Sequence, residues 1–282
     1  MNKKKHELLI RRILVALDAS PHSLAALEAA VDLAARLRAE LSGLFVEDVN
    51  LLRLAGSPLA QEVGFFSATR RRLDAQQIER QLRAQASRVR QALQAMAEPA
   101  EVQWSFRIAR GVIASELLTA AAEVDLIILG RGGWSLTRRR RLGSTARAVL
   151  SEAPCLALIL QHGAGLEMPV LVVYDGSPLA QKALAAAAPL VEEEKGHLTV
   201  LILADGADAA HRLQKQAAGW LQERGVEVRY HLLTKLSVPR LAHIVQLEGG
   251  GTLVLPARSP LLQDEALLTL LDEIEIPVLL VR

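Results

Sequence analysis

Apolar residues fall in two patterns along this chain. Short continuous runs such as DLIIL and LTVLIL suit strands buried on both faces of a parallel sheet. Between them lie longer stretches in which apolar residues recur every three or four positions, the period of a helix laid over such a sheet. The pattern predicts strands at 12–17, 41–46, 101–108, 125–129 and 155–160, with helices at 21–39, 74–97, 112–122 and 144–152. It then predicts strands at 170–174, 197–203, 226–233, 251–255 and 277–281, with helices at 178–194, 207–224, 238–247 and 262–272. Strand 101–108 differs from the others: its alternation puts Val102, Trp104, Phe106 and Ile108 on one face.

The second set repeats the first. RRILVALDAS and PVLVVYDGS each carry an apolar run into Asp-x-Ser-Pro and then an Ala/Leu-rich stretch. Asp18 and Asp175 set the repeat at 157 residues (175 − 18). Ser20 and Ser177 are expected to cap the helices that follow, with Pro21 and Pro178 in the first helical position. Alternation of strand and helix predicts an α/β fold: two tandem doubly wound domains, each a five-stranded parallel sheet with helices on both faces. The Gly-containing segment 161–168 is the expected linker, dividing the chain into 1–163 and 164–282. Only the first copy has an insert, at 48–73, expected to form a loop or an extra helix over apolar surface.

Composition narrows the class. Of 282 residues, 51% are hydrophobic and 23% charged, which excludes a largely disordered chain. No apolar run reaches the length of a membrane span. The basic opening MNKKKHELLIRR lacks the apolar core of a signal peptide, and the single cysteine, Cys155, forms no internal disulfide. A cytoplasmic location is the expectation. The net charge of +2 is unevenly shared: residues 1–163 carry +7 (23 − 16) and residues 164–282 carry −5 (10 − 15).

The stretch with most chemistry in it is LIILGRGGWSLTRRRRLGSTAR, residues 126–147. A buried strand runs into Gly130; Gly133 follows, and then Gly143 and Ser144 before a helix. Glycines after a strand allow close approach or positive φ. The amides of the next helix N-terminus favour an anion. Arg138–Arg141 add positive charge, expected to help triphosphate binding without being required for it. Neither the Walker pattern nor the GxGxxG fingerprint is present.

The spacing Gly-x2-Gly-x9-Gly-Ser, with an Asp closing the first strand, resembles the universal stress protein family. That resemblance implies strand order 3-2-1-4-5 in each domain, with ATP or a related adenine nucleotide as ligand, with or without Mg²⁺. It implies a role for Asp18 near the adenosine and for Val46 at the base or ribose. It also implies that Gly130, Gly133, Gly143, Ser144 and Thr145 hold ribose and phosphates. Ala16 and Arg131, beside these positions, complete the candidate set. The implied function is a regulatory stress-response protein that binds nucleotide, is not an enzyme, and acts on a protein partner. Neither nucleic acid nor membrane is expected as a partner. The alternatives are a weak ATP-hydrolysing enzyme and an interaction scaffold with a vestigial site.

The second copy keeps Asp175-Gly176-Ser177 but has Pro256 where the first has Gly130, and Asp264 and Glu265 where phosphates would lie. It reads as a degenerate, nucleotide-free domain. Seven scattered histidines show no metal-ligand spacing. Cys155 begins an apolar strand and reads as a buried thiol. The last strand of each copy, 156–160 and 278–282, is apolar and lies at a sheet edge, where unpaired backbone invites a partner strand. These edges are expected to pair antiparallel about a pseudo-twofold axis, a dimer within one chain. Further association of two chains is expected through the insert, with Phe65 and Phe66.

Overall fold

The computed structural model describes residues 9–57, 61–63, 70–72, 74–132, 142–160, 165, 166, 168–192, 197–222, 227–233, 238–258, 264–274 and 276–282. The first half contains β1 (Arg12–Leu17), α1 (Pro21–Leu37), β2 (Glu40–Asp48), α2 (Val49–Ala55), β3 (Gln61–Val63), β4 (Arg70–Arg72), α3 (Ala75–Ala97), β5 (Trp104–Gly111), α4 (Ile113–Ala121), β6 (Leu126–Gly130), α5 (Ser144–Glu152) and β7 (Leu156–Leu160). The second contains β8 (Val170–Tyr174), α6 (Pro178–Glu192), β9 (Leu198–Leu203), α7 (Ala207–Gln222), β10 (Val228–Leu233), α8 (Val238–Leu247), β11 (Thr252–Pro256), α9 (Asp264–Glu273) and β12 (Val278–Val281).

Ten strands form one sheet in the order β10-β9-β8-β11-β12-β7-β6-β1-β2-β5. Read within each half, this is order 3-2-1-4-5 twice, with every pairing inside a half parallel. The halves join where β12 runs antiparallel to β7, pairing Val278 with Ile159, Leu279 with Leu158 and Leu280 with Ala157. The expected edge pairing is therefore present. A shift of 121 residues carries 157–159 onto 278–280 and exchanges the outer pairs, so a pseudo-twofold axis passes between Leu158 and Leu279. Helices α1, α3, α6 and α7 cover one face and α4, α5, α8 and α9 the other, each over an apolar layer that crosses the junction. With both faces covered and the edges joined, the strands can be apolar at every position.

Caps and corrections follow locally. The Ser20 hydroxyl accepts the Ser23 N–H at 3.2 Å, and Ser177 accepts from Ala180 at 3.1 Å, as the Ser-Pro pairs predict. The third strand begins later than expected, at Trp104. Val102, Trp104 and Phe106 face the core, but Ile108 is 57% exposed. It sits on the outermost strand, beyond the part of the face that the core reaches. The insert builds one helix, α2, and a short antiparallel pair, β3 with β4. Phe65 and Phe66, Arg138–Arg141, Gly133 and most of the 161–168 linker lie outside the described residues, as does part of the turn that follows Pro256.

Candidate functional site

Strands β1 and β6 are neighbours at the point where strand order reverses, and their ladder ends at Val15–Ile128. Beyond that pair the strands part, because β1 turns into α1 on one face and β6 leads to α5 on the other. A cleft of about 420 Å³ opens at their carboxyl ends. Such a crevice is where ligands bind in open α/β sheets. Ala16, Asp18, Val46, Gly130, Arg131, Gly143, Ser144 and Thr145 all line it, together with Leu17, Ser23, Leu44, Ile113, Leu117, Leu129, Gly132 and Ala146. Of the expected site residues, Gly133 alone lies outside the described residues.

The cleft has an apolar wall and a polar end. Ala16, Leu44, Val46, Ile113, Leu117 and Leu129 make the wall. The polar end is the start of α5. Its N-cap, Gly143, has no side chain to satisfy the first turn. The first intrahelical bond is Arg147 N–H to the Gly143 carbonyl at 2.9 Å. The amides of Ser144, Thr145 and Ala146 therefore lack an intrahelical acceptor, and all three residues face the cleft. An anion is the natural partner for such a turn.

None of Gly130, Gly132 and Gly143 takes positive φ. A Cβ on Gly130 would stand 2.8 Å from the His22 carbonyl oxygen, so this glycine lets β6 pass close to the backbone of α1. A Cβ on Gly143 would meet only ordinary contacts, the nearest being the Arg131 carbonyl at 3.4 Å. At Gly143 the missing side chain keeps space open on the cleft side.

Asp18 holds the tip of β1. Its Oδ1 accepts the Ser20 N–H at 2.9 Å, which turns the chain through Ala19 at φ 60° into α1. Asp175 and Ser177 repeat the turn at 2.9 Å, with Gly176 at φ 80° between them. The Arg131 guanidinium donates to the carbonyls of Asp272, at 2.8 Å, and of Ile274, in the other half of the chain. What Arg131 offers the cleft is the remainder of the residue. Cys155 is outside the cleft, and burial pushes its thiol up to about 11, as suits a structural cysteine. No cluster of metal-ligating side chains occurs among the described residues.

Residues 9–161 match the universal stress protein family, more than half of the chain. The chain belongs to that family. A universal stress protein from Archaeoglobus fulgidus is similar over 97% of both chains, at 20% identity and a TM-score of 0.73. A protein of unknown function from Pseudomonas aeruginosa matches 97% of this chain and 93% of its own, at 16% identity and a TM-score of 0.59. At these identities the likeness shows the fold, and it shows it over 97% of this chain.

The structure also brings in a residue that sequence reasoning missed. Asp272, in the last turn of α9, reaches the polar end of the cleft from the second half. Its Oδ1 accepts the Leu142 N–H at 2.8 Å, and its Oδ2 lies 3.0 Å from Arg147 Nη2. One signal was available: a carboxylate in a helix's last turn opposes that helix's own dipole, so its partner lies elsewhere.

Proposed function

We propose that this universal stress protein binds one adenine nucleotide, ATP first among them, in the cleft of its N-terminal half. In this reading the bound nucleotide regulates a protein partner rather than being consumed. The observation that carries it is the convergence of eight expected residues on one cleft, with apolar walls at one end and the uncapped start of α5 at the other. A purine ring suits the wall of Ala16, Val46, Leu44 and Ile113, since nucleotide pockets are mostly apolar with few orienting polar groups. Asp18 would face the adenosine. Gly143, Ser144 and Thr145 would receive the phosphates, with Gly133 and Arg138–Arg141 contributing from the same loop. Mg²⁺ arriving with the phosphates would share their charge.

Binding is favoured over turnover because Asp18 is the one carboxylate among the described lining residues, and its Oδ1 already holds the Ser20 amide. The two-part division at 161–168 belongs to the same reading, with 1–163 as the nucleotide-binding domain and 164–282 as its degenerate partner. No helix among the described residues is long and apolar enough to cross a membrane. The test is direct. Denaturing purified protein and chromatographing the supernatant should release adenine nucleotide in proportion to protein. Incubation with ATP should leave it intact. Steady release of phosphate over many turnovers would favour the enzyme, and the absence of any bound or bindable nucleotide would favour the scaffold.

A further inference from the structure

The helix that begins at the polar end of the cleft is held at both ends by the other half of the chain. At its N-terminus, Asp272 takes the Leu142 amide and the Arg147 guanidinium. At its C-terminus, the Arg282 guanidinium donates to the carbonyls of Leu150 and Ser151. An acid beside the start of a helix and a base beside its end both agree with the helix dipole. On its own helix, Asp272 sits at the unfavourable end. Its position is therefore explained by α5 and not by α9.

We infer that Asp272 is a positioning residue for the nucleotide site: the N-terminal cleft is completed by the C-terminal half. The inference rests on the nucleotide reading above. Two consecutive amides are fastened backward, Leu142 to Asp272 Oδ1 at 2.8 Å and Gly143 to the Arg131 carbonyl at 3.0 Å. With those fixed, the next three amides, of Ser144, Thr145 and Ala146, are aimed at the cleft before any ligand arrives. Arg131 fastens the other side of the same turn, since the guanidinium that reaches Asp272 and Ile274 belongs to the residue whose carbonyl holds Gly143. Preorganisation of this kind strengthens binding by removing the ordering cost. Because the fastening residue belongs to the second half, nucleotide binding and the packing of the halves are linked, and linkage is reciprocal. A degenerate domain kept beside a working one thereby has a task at the site.

Two variants and two readouts test this. Asp272→Ala strands the Leu142 amide, whose residue is 5% exposed. Asp272→Asn keeps an oxygen for that amide and gives up the ion pair with Arg147, whose side chain is 38% exposed. In ligand-free protein, hydrogen exchange over 142–145 should quicken in Asp272→Ala and stay near that of the unaltered chain in Asp272→Asn. By calorimetry, ATP should bind about tenfold more weakly to Asp272→Ala, the effect of one unsatisfied buried donor. It should bind within about threefold of normal to Asp272→Asn, the effect of one partly exposed ion pair. Adenosine, which lacks phosphates, should bind all three alike. Unchanged exchange, equal losses in Ala and Asn, or parallel losses for ATP and adenosine would overturn the positioning role. If the unaltered protein takes no ATP, the nucleotide reading fails, and the exchange measurement still decides whether Asp272 holds the turn.

Discussion

The two halves of this chain share a topology and differ in the side chains at the carboxyl ends of their first two strands. In the first, β1 pairs Ile13 with Leu41; in the second, β8 pairs Val170 with Leu198, an offset of 157 in both strands (170 − 13 and 198 − 41). That offset aligns Ala16 with Val173 and Val46 with Leu203. Ala16 and Val46 line the open cleft, whereas Val173 and Leu203 are each 2% exposed and belong to the core. Pro256 ends β11 where Gly130 ends β6, and the proline before the last strand follows after 21 residues (277 − 256) instead of 24 (154 − 130). The lesson is that side-chain size decides whether this position in the fold is open or filled. Larger apolar side chains on the same backbone turn a crevice into core, and burial then adds stability there.

The comparison can be broken first at Gly143. Replacing it with Trp should abolish ATP binding by calorimetry while leaving the thermal midpoint within a few degrees, because a Cβ there makes only ordinary contacts, the nearest at 3.4 Å. Asp175→Asn in the other half should leave ATP affinity unchanged. Next, the double change Ala16→Val with Val46→Leu copies the second half's side chains into the first. It should weaken ATP at least about tenfold by occupying the wall, with folding stability equal or raised, since the cleft has room that a packed core lacks.

Gly130→Ala should show the opposite division. Its Cβ would press on the His22 carbonyl at 2.8 Å, and backbone cannot rotate aside. A loss of about 1–3 kcal/mol in denaturant unfolding is expected, the ordinary range for overpacking. The smallest effect is at the tip of β1. Ala19 holds φ 60° where the second half uses Gly176 at φ 80°. Ala19→Gly should stabilise the chain by up to about 1 kcal/mol, the left-handed penalty for an L-residue less the entropy glycine costs. A destabilised Ala19→Gly would mean that the buried methyl outweighs the backbone strain.

Much of this architecture was legible in the chain. Runs such as LIIL and LTVLIL read as strands because a parallel sheet under two helical layers leaves no polar face to alternate with. The Ser-Pro pairs read as helix starts because capping is a local matter, settled within four residues of the chain. The cleft was legible because Asp18 and Gly130 close two strands that the repeat and the family pattern make neighbours. What escaped reading were contacts that span the chain. The bond between Leu142 and Asp272 joins residues 130 apart and depends on how two domains meet, which no local pattern encodes. The direction of the Arg131 side chain depends on the same meeting. Gly130 escaped for another reason: a glycine needed for close approach of backbone and one needed for a ligand look alike until the neighbour is known. The exposure of Ile108 followed from its place on the outer strand, which alternation alone does not reveal.

The central claim is that one half binds and the other does not, and stoichiometry tests it most directly. Titration of nucleotide-stripped protein with ATP by calorimetry should give one site per chain, and the Ala16→Val/Val46→Leu form should bind at least about tenfold more weakly. Two sites per chain, or a single site that survives closure of the N-terminal cleft, would contradict the account.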